Sequence, residues 1–180
     1  SPTLATQLAL DKGPLARLRF HFDTRPVAQA RAEEVARTKK FIAMLEAVPE
    51  AGLSEPAKLN REVVLWDLKT QNVGPERFGI ANPQSPYELS QQDGAYFSIP
   101  DFLDSGHTID NANDAEAYLS RLSEFPRLLD NETAEQRRQA ARGYLAPGWS
   151  LDLVEKQILA VRDPEAAENS MVTSLATRTA

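Results

Sequence analysis

Apolar residues recur at helical steps of three and four in several stretches of this chain, and strand-like alternation is sustained nowhere. Ser1-Pro2 opens a short apolar helix through Leu10, with proline where no backbone donor is needed, and Asp11-Lys12-Gly13-Pro14 stops it. Asp23-Thr24-Arg25-Pro26 opens a longer one. Its Ala28, Ala32, Val35, Ile42 and Leu45 share a face, whereas Arg31, Glu34 and Arg37 are expected to be solvated. A third helix starts at Ser54-Glu55-Pro56 and reaches about Gln71. Its centre, Val63-Val64-Leu65-Trp66-Asp67-Leu68, is apolar nearly all round, the pattern of a helix surrounded by protein, with Trp66 in the packing.

From Gly74 to Gly94 the pattern breaks, because Pro75, Gly79, Pro83 and Pro86 exclude a continuous helix. Tyr96-Phe97-Ser98-Ile99 fits a short strand, followed by a brief helix through Leu103. Asn113 is placed to cap the longest pattern, 114–142, with Ala115, Tyr118, Leu122, Phe125 and Leu129 as its stripe and a kink expected at Pro126. Gly148-Trp149-Ser150 begins another helix, with Leu151, Val154, Ile158 and Val161 on one face, and Asp163-Pro164 breaks it. The predicted class is mainly α, a multi-helix array with one irregular or extended segment around 74–99.

Composition narrows the chemistry. The 180 residues suffice for one domain or a large piece of one. A net charge of −6 lacks the basic footprint of a nucleic-acid binder, and no apolar run is long enough to span a membrane. Cysteine is absent and histidine occurs twice, at His21 and His107, so a zinc site built here would lean on carboxylates. No HExxH, GxSxG, GxGxxG or P-loop signature is present. The opening residue is Ser1 rather than methionine, which leads to the expectation of a processed or trimmed chain. Glu132, Glu135, Arg137, Arg138 and Arg142 read as an exposed mixed-charge face. His107 reads as a loop histidine bonding backbone carbonyls, with Asp101 and Asp104 near enough in sequence to orient its ring.

The least generic stretch is 85–97, which holds three aromatics, two glutamines and two acids around Gly94. Two readings stand: a loop or edge that lays backbone and tyrosine groups along an extended ligand, or a connector pinned to the helices by its rings. Spacing alone favours pinning.

Taken in order, Ser1-Pro2, Ala5-Thr6, Leu10-Asp11, Ser85-Pro86-Tyr87, Gln91, Gly94-Ala95-Tyr96, Pro100-Asp101-Phe102-Leu103-Asp104 and Asp114-Ala115-Glu116-Ala117-Tyr118-Leu119 resemble a bacterial family called domain of unknown function 885. The likeness covers essentially the whole chain and is most specific over 85–119. Many members of that family are exported or lipid-anchored. The resemblance implies a helical architecture similar to clam-shaped zinc peptidases, in a longer protein whose later half carries a catalytic HExxH helix. On it, residues 1–180 are expected to be the N-terminal part of a single larger domain, with an irregular cleft-wall segment over 74–110. No catalytic or metal residue carries over, and zinc is expected outside this chain. Tyr87, Gln91, Asp93 and Tyr96 are the expected substrate-binding residues. The implied partners are the remaining C-terminal half and a peptide or amide substrate, in a periplasmic or exported setting. The alternative from another class is a free-standing helical module that binds a protein or peptide without catalysis.

Overall fold

A computed structural model describes residues 1–81 and 86–180. Among these the chain is mainly helical, as predicted, and forms no strand beyond one isolated antiparallel bridge between Ser90 and Asp93. It divides into two compact units, one of Ser1–Arg25 with Leu89–Ala180 and one of Pro26–Glu88.

The smaller unit is a helix pair. Helix α2 spans Val27–Glu46 and α3 spans Glu55–Val73, the latter capped by the Ser54 hydroxyl, which accepts from the Ala57 N–H at 3.4 Å. A π turn over Gly74–Phe78 extends α3 and ends at Gly79, whose φ of +64° is a left-handed conformation open to glycine. The Arg61 guanidinium donates to the carbonyls of Leu45 (2.9 Å) and Glu46 (3.2 Å) at the end of α2, where the Leu45 carbonyl also accepts the Val48 N–H at 3.2 Å. Val35, Ile42 and Leu45 are half-buried as expected, but Ala28 and Ala32 are exposed. Arg31 is not solvated: its side chain is 11% exposed, pairs with Glu88 and donates to the Gly79 carbonyl at 2.8 Å. The apolar centre of α3 is not covered all round either. Leu59, Val63 and Trp66, at helical steps of four and three, are exposed, Trp66 by 68%.

In the larger unit, α1 spans Pro2–Gln7, and a 3-10 run over Gly13–Phe20 follows it. Next come α4 (Ala95–Asp101), a π turn (Phe102–Gly106), α5 (Ala112–Ala140), α6 (Gly148–Arg162) and α7 (Ser170–Thr179). The irregular segment therefore ends earlier than 99, because 95–101 is helical rather than a strand. Tyr96, Ile99 and Leu103 lie inward at steps of three and four, a period that four residues alone do not reveal. The α5 cap is Asn111, not Asn113: its side chain accepts from the Asp114 N–H at 3.2 Å. Helix α5 runs through Pro126.

The core of this unit is Phe22, Phe102, Leu103, Tyr118, Phe125 and Met171, with Phe22 and Phe102 edge to face at 5.8 Å. Burial of side chains this size stabilises by about 1.5–3 kcal/mol each. Helix α7 is fastened to it by two groups. The Tyr118 hydroxyl donates to the Met171 carbonyl at 2.6 Å. Arg178 donates to the carbonyls of Leu103 (2.9 Å), Asp104 (2.8 Å) and His107, and lies over the Tyr118 ring.

Candidate functional site

The turn that precedes α4 and the first turn of α4 itself carry three of the four sequence-predicted residues. Ser90 and Asp93 exchange backbone hydrogen bonds of 3.0 and 3.2 Å, and the Ser90 hydroxyl donates to the Asp93 carboxylate at 2.7 Å. Gly94 follows at φ +133°, where a Cβ would stand 2.9 Å from the Tyr96 ring and 3.0 Å from Leu89, so both conformation and space require glycine. The Ala95 N–H donates to Glu132 of α5 at 2.8 Å. Gln91 is bound to α6 from both ends: the Ser150 hydroxyl donates to its side-chain oxygen, and the Gln157 amide donates to its carbonyl at 3.3 Å.

Tyr96 is 3% exposed, and its hydroxyl lies 2.8 Å from both the Ser90 carbonyl and Gln157 Oε1, one proton facing two acceptors. Burial, with the charges of Glu132 and Asp93 nearby, pushes its pKa up, so the phenol stays protonated. Gln91 and Asp93 of the turn and Tyr96 at the start of α4 thus form one cluster whose polar groups face their own chain. Tyr87 is half-buried and belongs to the smaller unit.

Beside Tyr96 lies a cavity of about 520 Å³. Phe125, Leu129, Ile158, Val161 and Met171 form its apolar wall, four of them shared with the core or packed on it. Glu132, Gln136, Arg137 and Arg162 stand on its polar side. Gln136 Oε1 is buried there with no hydrogen-bond partner among the described residues.

A second constellation, not singled out from the sequence, is a buried charge network joining α1, the 3-10 run, the 107–114 loop and α5. Arg19 donates from Nε to Asp114 at 2.6 Å and from Nη1 to Asp11 at 3.0 Å, and it also meets Thr108. Arg121 is fully buried and has no carboxylate in direct contact. It donates to Thr6 Oγ1 (2.7 Å), the Leu18 carbonyl (3.1 Å), the His21 carbonyl (3.2 Å) and His107 Nδ1 (2.9 Å), between the rings of Phe22 and Phe102. Desolvation brings its pKa down to about 10, still well above neutrality.

Because Arg121 donates to Nδ1, His107 is neutral with its proton on Nε2, which donates to the Asp114 carbonyl at 2.9 Å. Burial lowers its pKa, and Arg121, Arg19 and Arg178 lower it further. The ring is therefore oriented by Asp114 and Arg121, not by Asp101 or Asp104. At Asp11, burial opposes ionisation, but hydrogen bonds from Thr6 and Arg19 outweigh it and the pKa falls. Its Oδ1 has no partner among the described residues, and the residue borders a polar cavity of about 760 Å³.

One signal did point to Arg121. It sits between Tyr118 and Phe125 at steps of three and four, an arginine on the apolar stripe. Glu135, expected on an exposed mixed-charge face, is buried, as is Gln139; Glu135 pairs with Arg138 and accepts from Gln139 at 2.6 Å.

The described residues contain no group of three histidine, cysteine or carboxylate side chains able to hold a metal. His21 pairs with Glu124 at 2.9 Å, and both nitrogens of His107 are engaged. No helix among the described residues is long and apolar enough to cross a membrane.

A family model described as bacterial protein of unknown function, DUF885, matches residues 2–180. No curated protein and no solved structure matches the chain. The match takes in the Thr6 and Asp11 end of the charge network, the 89–96 turn and the α5 stripe alike, and the chain belongs to the DUF885 family.

Proposed function

We propose that this chain is the N-terminal helical part of a zinc-dependent peptidase or amide hydrolase, supplying scaffold and one wall of a substrate cleft. Family membership supports the reading through the resemblance to clam-shaped zinc peptidases. The observation that carries the wall assignment is the bracing of the 89–96 turn by Ser150 and Gln157 of α6 and Glu132 of α5. A surface that orients a substrate works only if its own geometry is held by neighbours.

The described residues do not fit a zinc site, and no step through the metal is derived from them. Zinc, the general base and the HExxH helix belong, on this proposal, to the remaining C-terminal half. The substrate is a peptide or related amide, and the setting is periplasmic or exported. The exposed face of Leu59, Val63 and Trp66 favours this reading over a free-standing binding module, which should expose no such patch.

The test uses the complete protein. Chelator-sensitive hydrolysis of fluorogenic peptides, with about one zinc per molecule, is expected. Ser150→Ala and Tyr96→Phe, which loosen the turn, should raise KM or lower kcat while zinc content stays unchanged, and Tyr87→Phe tests the remaining expected residue. Unchanged kinetics in all three sinks the wall assignment. Absence of both zinc and hydrolysis sinks the peptidase reading.

A further inference from the structure

We infer that the cavity beside Tyr96 binds a small neutral aromatic molecule whose hydroxyl donates a hydrogen bond to Gln136, a simple alkylphenol being the type. The proposed peptidase role does not require this site, and neither reading depends on the other. The volume of about 520 Å³ falls within the range of small-molecule pockets. Tyr96 and Phe125 contribute rings to its wall, and Leu129, Ile158 and Met171 surround them. A flat ring therefore meets aromatic edges and faces, and an alkyl tail leaves water for a surface continuous with the core.

The charges around this cavity cancel. Arg137 and Arg162 stand on its polar side with Glu132, and Asp163 binds Arg162 at 2.7 Å, so two positive groups face two negative ones. An ionic ligand gains no net attraction there to offset the water it must shed, which favours a neutral one. What this side lacks is a donor. Gln136 stands on it, and its Oε1 is buried with no hydrogen-bond partner among the described residues. Tyr96 has no proton to spare, because its hydroxyl already faces the Ser90 carbonyl and Gln157 Oε1, both at 2.8 Å. A ligand hydroxyl relieves the deficit at Gln136, whereas a carboxylate, an ether or a hydrocarbon leaves it standing. The terminal amide torsion of glutamine is soft, so its oxygen turns to meet the donor at small cost. A phenol suits the position because it keeps its proton at neutral pH, as the tyrosine side chain does.

The test is titration calorimetry of the full chain with 4-propylphenol, its methyl ether 4-propylanisole and the charged 4-propylbenzoate. Saturable one-to-one binding of the phenol is expected, about tenfold tighter than either comparator, equivalent to about 1.4 kcal/mol. Gln136→Leu should erase the preference for phenol over ether, while the ether binds as before. Thr133→Trp, at an exposed position on the rim, should block entry of both. Thermal melts check that each variant is folded. Absence of saturable phenol binding overturns the site, as does binding that Thr133→Trp leaves intact. Equal affinity for phenol and ether, or a preference that survives Gln136→Leu, overturns the role of the donor. Tighter binding of the benzoate overturns the neutral ligand. Tighter binding of N-acetyl-tyrosinamide than of the phenol overturns the free small molecule in favour of a tyrosine side chain.

Discussion

Replacing Arg121 with methionine keeps much of the side chain's length and its contact with Phe22 and Phe102, but removes every donor. Four acceptors lose a partner, and their environments differ. The bonds to Thr6 Oγ1 and His107 Nδ1 are fully buried, whereas those to the Leu18 and His21 carbonyls are only partly so and can recover water. A buried group left unsatisfied costs about 1–3 kcal/mol, so the two interior acceptors together cost about 2–6 kcal/mol. Removing a desolvated charge that has no direct ion pair returns part of that sum. The expected net loss is about 3 kcal/mol, a large share of the roughly 5–15 kcal/mol that holds a typical domain.

Urea unfolding monitored by far-ultraviolet circular dichroism measures it, as a lower midpoint at unchanged slope. Arg121→Lys should not rescue the fold, because an ammonium keeps the charge but lacks the flat fork that reaches four acceptors and two rings. A loss under about 1 kcal/mol for methionine, or full stability for lysine, would refute the claim that the guanidinium's geometry organises this unit.

Protonating His107 must place a proton between Nδ1 and Arg121, and burial already lowers its pKa below 6.5. The unfolded chain then binds more protons between that lowered value and 6.5, so this contribution is complete above pH 6.5 and is lost as pH falls, by at most about 1.4 kcal/mol per unit. His107→Gln should flatten the change in urea midpoint between pH 7.5 and 5; an equally steep change in the variant would exclude His107 as its source. Gly94→Ala should destabilise by about 1–3 kcal/mol, from a φ of +133° and the approach of its Cβ to Tyr96 and Leu89, and limited proteolysis should cut the turn faster. Wild-type cleavage rates would show that the turn yields without strain. Tyr96→Phe should cost about 1 kcal/mol in thermal or urea unfolding through its lost hydroxyl contacts. No loss would mean that Gln157 and Ser90 pair equally well without it.

Much of the helical plan is legible in residue spacing, since α2, α3, α5 and α6 each show a step of three or four together with a capping or breaking residue. Legibility fails where the evidence is short or distant. Ala28 and Ala32 match the α2 stripe in period, yet alanine contributes little apolar area, and both stay in solvent. Tyr96-Phe97-Ser98-Ile99 suits strand or helix until Leu103 is counted with it. The 3-10 run over Gly13–Phe20 offers no amphipathic period, and its one buried side chain is a charged arginine.

The charge network is the clearest case. Thr6, Asp11, Arg19, His107, Asp114 and Arg121 come from two distant stretches of the chain, and no local spacing connects one stretch to the other. Of the expected cleft residues, the grouping of Gln91, Asp93 and Tyr96 follows from their closeness in sequence. Their inward hydrogen bonding does not, because it depends on Ser150 and Gln157, some sixty positions away.

Arg178 gives the last helix an unexpected reach. Its fork terminates the carbonyls of Leu103, Asp104 and His107, at the end of a π turn that has run out of its own N–H groups. Fraying of α7 therefore strands three acceptors on a neighbouring segment at once. Amide protons of α7 and of 103–107 should exchange with deuterium as one cooperative unit, at a common opening free energy, although some seventy residues separate them along the chain.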